Sequence, residues 1–220
     1  PRDARTNPDV CYMPENYDGA YRGPISLRNA LAPSINIPGV KMLYLVGLDH
    51  AIEFAERVGI TTLQNKERYG LTLVLGGGEV SLLDMTSAYG VFANDGKREP
   101  YTGILKIEDA SGSTIFEFAK KEIPAINPEI ARKISDILSD NEARTPAFGA
   151  QSYLHFDNHQ VAVKTGTTND YRDAWIVGYT PSIVVGAWAG NNDNTPMEKK
   201  VAGFIIAPLW NAYLTKIFPS

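Results

Sequence analysis

Residues 161–179 hold the side chains best suited to chemistry. Lys164 supplies a compact cation, Thr165 and Thr167 supply hydroxyls, and Gly166 between them has no Cβ to keep a ligand backbone away. Val161, Val163 and Thr165 alternate with Lys164, a pattern that predicts a strand with one buried face and Lys164 exposed on the other. A cation and two hydroxyls along an open strand edge suit the carboxylate of an extended peptide, bound as an added strand through its main chain. A surface strand with an ordinary lysine and a bulge glycine would carry the same Lys164-Thr165-Gly166, so the motif alone leaves both readings open.

A second cluster is Ser34-Ile35-Asn36, ahead of Pro38. Locally these are turn and cap residues before a helix that proline can open. A serine hydroxyl can also relay a proton, and an asparagine amide can hold a peptide backbone.

The elements that must position these groups follow from periodicity and punctuation. Residues 1–23 are rich in Pro, Asn, Asp, Gly and Tyr and read as an extended lead-in. A short helix follows Ser26 and ends at Pro33. A second runs to Gly47, and a third, capped by Asp49, closes at Gly59. Leu71–Leu75 is strand-like and ends in a glycine turn at Gly76-Gly77-Gly78, which lacks the signatures of a phosphate loop. Ser81 and Asp84 open a helix that stops at Asn94-Asp95-Gly96. Tyr101–Ile107 and Ser113–Phe118 predict a hairpin, and Pro128 starts a further helix. Residues 139–158 read as a long polar loop bordering the cleft. His155 and His159 lie in it without the company a metal site needs. Three antiparallel strands are expected at 160–168, 172–179 and 183–190, with Trp175 and Trp188 packing a sheet face. One helix over 202–218 covers the sheet, with Pro208 as a kink point.

Composition sets the frame. A chain of 220 residues with 44% hydrophobic content can bury one sizeable core. A net charge of −4 with scattered Lys and Arg argues against a nucleic-acid partner. Cys11 is the single cysteine and cannot form an internal disulfide. The chain has neither a membrane-length apolar run nor a signal peptide.

Lys164-Thr165-Gly166-Thr167-Thr168, followed by Asp173-Ala174-Trp175 and Gly178-Tyr179-Thr180-Pro181, resembles the penicillin-binding transpeptidases that cross-link peptidoglycan, nearest to their bifunctional high-molecular-weight type. Tyr17-Asp18-Gly19, Gly23-Pro24, Leu27-Arg28-Asn29-Ala30-Leu31, Ser34-Ile35-Asn36-Ile37-Pro38 and Leu75-Gly76-Gly77 occur in that family's order, so the resemblance runs from about residue 14 to residue 197. It implies an α/β (α+β) fold like that of serine β-lactamases, an antiparallel sheet flanked by helices. Ser34, Asn36 and Lys164 take catalytic roles by the resemblance: proton relay, substrate amide and proton transfer. Thr165, Gly166, Thr167 and Thr168 form the substrate-binding strand, with the Thr167 N–H as half of an oxyanion hole. No cofactor or metal is implied.

The family's nucleophile sits in a Ser-x-x-Lys segment. No serine of this chain is followed three residues later by lysine. The expectation is therefore a chain that is the C-terminal part of a single transpeptidase domain over 1–220, inactive alone and incomplete as a sheet. Its natural form would begin before Pro1. A separate polypeptide with the N-terminal part would pair with the 183–190 strand and bring the serine. The complete protein would be extracytoplasmic, membrane-anchored, active on D-alanyl-D-alanine stem peptides and a target of β-lactams. A carboxypeptidase or β-lactamase of the same fold, and a non-catalytic binding module, are the alternatives.

Overall fold

The computed structural model describes residues 12–197 and 199–218, so Cys11 lies outside the described residues. Among the described residues of the lead-in, from 12 on, no helix or strand precedes α1 (Leu27–Leu31). α1 starts at Ser26, whose Oγ accepts from Asn29 N at 3.1 Å. Then come α2 (Asn36–Val46) and α3 (Leu48–Val58). Gly47, at φ 86°, both ends α2 and precedes α3, so the expected cap Asp49 lies instead in the first turn. Leu71–Leu75 is a 3-10 helix closed by Gly76 at φ 99°, which corrects the strand-like reading; its leucines fit one tight turn as well as an extended run.

α4 (Leu82–Ala93) begins where Ser81 Oγ accepts from Asp84 N at 3.0 Å. β1 (Lys97–Arg98), β2 (Lys106–Glu108), β3 (Thr114–Glu117) and β4 (Ile123–Pro124) make two small ribbons, β1 with β4 and β2 with β3. The β2–β3 hairpin is shorter than its sequence pattern and exposed throughout, and its register shifts between Ile107 and Glu108. α5 (Pro128–Ser139) is capped by Asn127, with proline in its first turn.

Residues 139–158 are not one loop. α6 (Asn141–Phe148) occupies half of that span, capped by Asp140, whose carboxylate accepts from Ala143 N at 2.8 Å. Its anchor is Arg144, only 3% exposed, whose guanidinium donates to Leu138 O at 2.8 Å at the end of α5. Burial pushes this guanidinium down to about 10.

β5 (Ala162–Thr167), β6 (Asp173–Thr180) and β7 (Ile183–Gly190) form the antiparallel sheet in the order β5-β6-β7, as the short links require. The chain ends in α7 (Ala202–Ile205) and α8 (Ala207–Ile217), split at Ile206; Pro208 opens α8 rather than kinking one long helix. Among the described residues no helix is long and apolar enough to cross a membrane.

Both faces of the sheet are covered. Val161, Val163, Ala174 and Ile176 meet Trp210 and Leu214 of α8 on one side. Ala162 and Tyr179 meet Leu138, Tyr89 and Phe92 from α5 and α4 on the other. The expectation of a single covering helix therefore fails. Trp175 and Trp188 are cross-strand partners with ring centroids 6.5 Å apart, and Trp188 remains 38% exposed.

Gly178 admits Trp210 to the sheet. A Cβ there would lie 2.3 Å from Trp210 Cζ2 and 3.0 Å from Ala162 O. Trp210 has no room to yield, since its Nε1 donates to Val185 O at 2.9 Å. Gly178→Ala should cost roughly 1–3 kcal/mol by overpacking, read as a fall in melting temperature of about 2–4 °C per kcal/mol. Adding Trp210→Phe should recover part of that loss, so the double variant is less damaged than the sum of the singles.

Candidate active site

The site forms where the α1–α2 corner meets the free edge of β5. Ser34 N donates to Leu31 O at 3.1 Å and Ile35 N to Ala30 O at 2.9 Å, the paired bonds of a Schellman closure. That closure needs a left-handed residue, and Ser34 takes it, at φ 64°. Glycine is the usual occupant; a side chain there costs roughly 1–2 kcal/mol. The two closure bonds hold the serine at the corner against that strain, with its hydroxyl turned to β5.

Lys164 meets it. Its Nζ donates to Ser34 Oγ at 2.5 Å and to Thr165 O at 2.8 Å. The lysine is half-buried on the sheet face shared with Ala162, which corrects its reading as an exposed residue. The alternation was right, but α4 and α5 pack on that face of the sheet, so Lys164 is drawn partly out of the solvent. Desolvation by the surrounding protein pushes its ammonium down to about 8. A lysine there exchanges protons near neutral pH and can serve as acceptor for the Ser34 hydroxyl.

A cavity of about 830 Å³ opens beside this contact, with Ser34, Asn36, Thr165 and Thr167 in its wall. α6 supplies Pro146 and Phe148 to the same wall, so the segment expected as a loop does border the cleft. Arg28 ties α1 to this rim: it pairs with Asp136 and, at 2.8 Å, with Asp140. The Ala143 amide and then Arg28 hold the Asp140 carboxyl below its ordinary range. The lead-in closes the near side. Tyr17 lies in the wall, and its hydroxyl meets that of Tyr171 at 3.1 Å with the rings edge to face.

The expected strand residues divide by face. Thr165 and Thr167 pair with Ile176 and Ala174 on the α8 side, opposite Lys164. Thr167 Oγ1 accepts from Ala202 N at 3.0 Å. Gly166 lies outside the cavity wall, and a Cβ there would make only an ordinary 3.4 Å contact with Trp175 Cβ. Thr168 turns away: its Oγ1 donates to Asp173 Oδ2 and accepts from Asp173 N, each at 2.9 Å. Asp173 Oδ1 accepts from Trp188 Nε1 at 2.9 Å. Thr168 thus shapes the β5–β6 turn, where Asp170 and Tyr171 take φ of 59° and 57°. Asn36 lines the cavity while its Nδ2 donates to Glu15 O at 3.0 Å. His155 sits 3.2 Å from Asp157, and the His159 ring packs 4.3 Å from Phe218, so each has a local partner.

Known proteins match this arrangement along nearly its whole length. Penicillin-binding protein 1A of Aquifex aeolicus is 34% identical over 213 residues, 95% of this chain and 28% of that protein. Penicillin-binding protein 1A of Neisseria lactamica is 34% identical over 209 residues, 92% of this chain and 26% of that protein. The chain spans about a quarter of the length of these curated relatives. Among solved structures, penicillin-binding protein 1A from Haemophilus influenzae superposes with a TM-score of 0.78 at 23% identity, over 93% of this chain and 36% of that one. The penicillin-binding protein PonA1 from Mycobacterium tuberculosis, in complex with penicillin V, gives 0.78 at 24% identity, over 91% and 58%. These two likenesses carry the fold. The family model described as the penicillin binding protein transpeptidase domain matches residues 5–211, and the chain belongs to that family.

Proposed function

We propose that the chain is the C-terminal part of a serine D,D-transpeptidase domain, which cross-links peptidoglycan stem peptides through an acyl-enzyme and is acylated by β-lactams. The observation that carries this is the Ser34–Lys164 contact: a strained serine hydroxyl 2.5 Å from a lysine whose ammonium is pushed down to about 8. In this reading Lys164, as the free amine, draws a proton from Ser34 as Ser34 takes one from the attacking serine or the incoming amine. Thr165 and Thr167 receive the peptide carboxylate along the β5 edge, where the substrate adds as a strand. Asn36 offers its carbonyl to the substrate backbone, and Thr167 N–H is one oxyanion donor.

The nucleophile belongs to a Ser-x-x-Lys segment on another stretch of polypeptide, whose strand pairs with β7. This is the natural partner for β7, an apolar edge strand bonded among the described residues only to β6. The complete protein works outside the cytoplasm and is held at the membrane by a part other than these 220 residues.

The test is covalent labelling with a fluorescent penicillin. The expected result is no adduct on residues 1–220 alone and one adduct on the complete protein, mapped by peptide mass to a serine outside them. An adduct on Ser34, or on any serine of this chain, would overturn the assignment of the nucleophile.

A further inference from the structure

We infer that Asn16, in the lead-in, is a positioning residue for the Ser34–Lys164 pair, because it supplies the cap that α2 lacks locally and so locks the serine corner against β5. The inference rests on the functional reading above and adds a residue to it.

The first turn of a helix leaves amide N–H groups without internal partners. At α2 the N-cap is Ile35, which has no side-chain acceptor to offer. The acceptor comes from 21 residues upstream: Asn16 Oδ1 takes the Ile37 N–H at 3.0 Å. The other end of the same amide donates from Nδ2 to Ala20 O at 2.6 Å. One partner is a donor and the other an acceptor, so the orientation of the amide is dictated at both ends. Asn16 is 7% exposed, so losing either bond strands a polar group away from water.

A return bond completes the lock. Asn36 Nδ2 donates to Glu15 O at 3.0 Å, so neighbours in the lead-in and neighbours in α2 exchange side-chain bonds. The logic is that of a capping box, in which two segments satisfy each other, but the segments here are distant in sequence. Between this lock and the Schellman closure lies Ser34, at φ 64°. A strained residue keeps its conformation only while its surroundings over-determine it. The closure holds it from the α1 side, and Asn16 holds it from the α2 side. Without Asn16 the first turn of α2 is free to fray, and the hydroxyl loses its fixed distance from Lys164 Nζ. A shift of about 1 Å in such a contact is enough to cost roughly a hundredfold in rate.

The residue type follows from the two bonds. Aspartate could still accept from Ile37 N, but its second oxygen would face the carbonyl of Ala20. Alanine loses both bonds.

The experiment uses the complete protein and the variants Asn16→Ala and Asn16→Asp, with two readouts. One is the rate constant of acylation by a fluorescent penicillin, separated from the amplitude, which counts competent molecules. The other is the titration of Lys164 followed by NMR of labelled lysine, which needs no acylation. The inference expects Asn16→Ala to lower the rate constant tenfold or more and to move the Lys164 midpoint up from about 8 towards the ordinary 10.5, as the corner opens and admits water. A fall in the rate constant alone also supports it. If penicillin is inert towards the wild-type protein, the functional reading fails. The Lys164 titration then decides on Asn16 by itself: a shift supports the lock and no shift overturns it. A lower melting temperature and amplitude, with rate constant and midpoint unchanged, means that Asn16 only stabilises the fold and overturns the inference. If Asn16→Ala does not fold, Asn16→Asp, which keeps one bond, is judged by the same two readouts.

Discussion

Lys164→Ala lowers the rate of acylation of the complete protein by a β-lactam roughly 10²–10⁴-fold, the range of a lost acid–base group, and leaves the fold intact. Among the described residues the lysine makes no ion pair; its bonds are to Ser34 Oγ and Thr165 O. Removing it therefore strands no opposite charge. Lys164→Arg should be as damaging to the rate, because guanidinium stays protonated and cannot accept the Ser34 proton. In the wild type the rate should rise with pH through a midpoint of about 8, where the amine becomes free. The same depressed value sets a stability signature. Between about 8 and the ordinary 10.5 the unfolded chain binds more protons at this position than the folded one, so stability rises with pH across that window. Below it the ammonium is charged in both states and the cost of desolvating it is paid in full. Melting temperatures of wild type and Lys164→Met across that window isolate the effect, since other groups titrate alike in both. Arginine retaining a rate within about twofold of lysine, a difference worth roughly 0.4 kcal/mol, would remove Lys164 from the proton path.

Ser34 separates stability from activity in a second way. Ser34→Ala and Ser34→Gly both delete the hydroxyl, so both should slow acyl transfer by roughly 10²-fold or more. They should part on stability. Alanine keeps a Cβ in the left-handed region, whereas glycine adopts φ near 64° freely. The glycine variant should thus be the more stable of the two by about 1 kcal/mol, the reverse of the usual order of these residues. If Ser34 were only a turn residue, glycine would be at least as good as serine in every assay. Paired measurements of melting temperature and acylation rate decide it: a Ser34→Gly protein that is stable and fully active would take the serine out of the mechanism.

Much of this was legible in the residues, and the failures share a physical cause. α4 and α5 announce themselves through local signals, the cap Ser81 and the helix-opening Pro128; the Ser81 cap forms as read, and the structure adds Asn127 as the cap of α5. The three strands were legible because alternation and short links are also local. α6 was not. Thr145 and Pro146 argue against a helix, and what holds it is Arg144, buried against carbonyls of Leu138 and Leu154. Lys164 was read in the right register but in the wrong environment, because exposure depends on helices that arrive from elsewhere in the chain. For Thr168, a partner five residues on, Asp173, claims the hydroxyl. Asn16 read as loop. Its one clue was negative: an isoleucine stands where α2 needed an acceptor.

The Ser34–Lys164 contact joins residues 130 apart, and this has a consequence for the order of assembly. A chain made from its amino end at about 5–20 residues per second completes the serine corner roughly 6–26 s before residue 164 exists. The Schellman closure spans a few residues and the Asn16 bond spans 21, so both can form in that interval. Closing the longer loop is the late event, and its entropic cost is met only when β5 joins β6. Reactivity towards a β-lactam would then report the last step of folding, appearing after most of the helices and later than any probe of the corner itself.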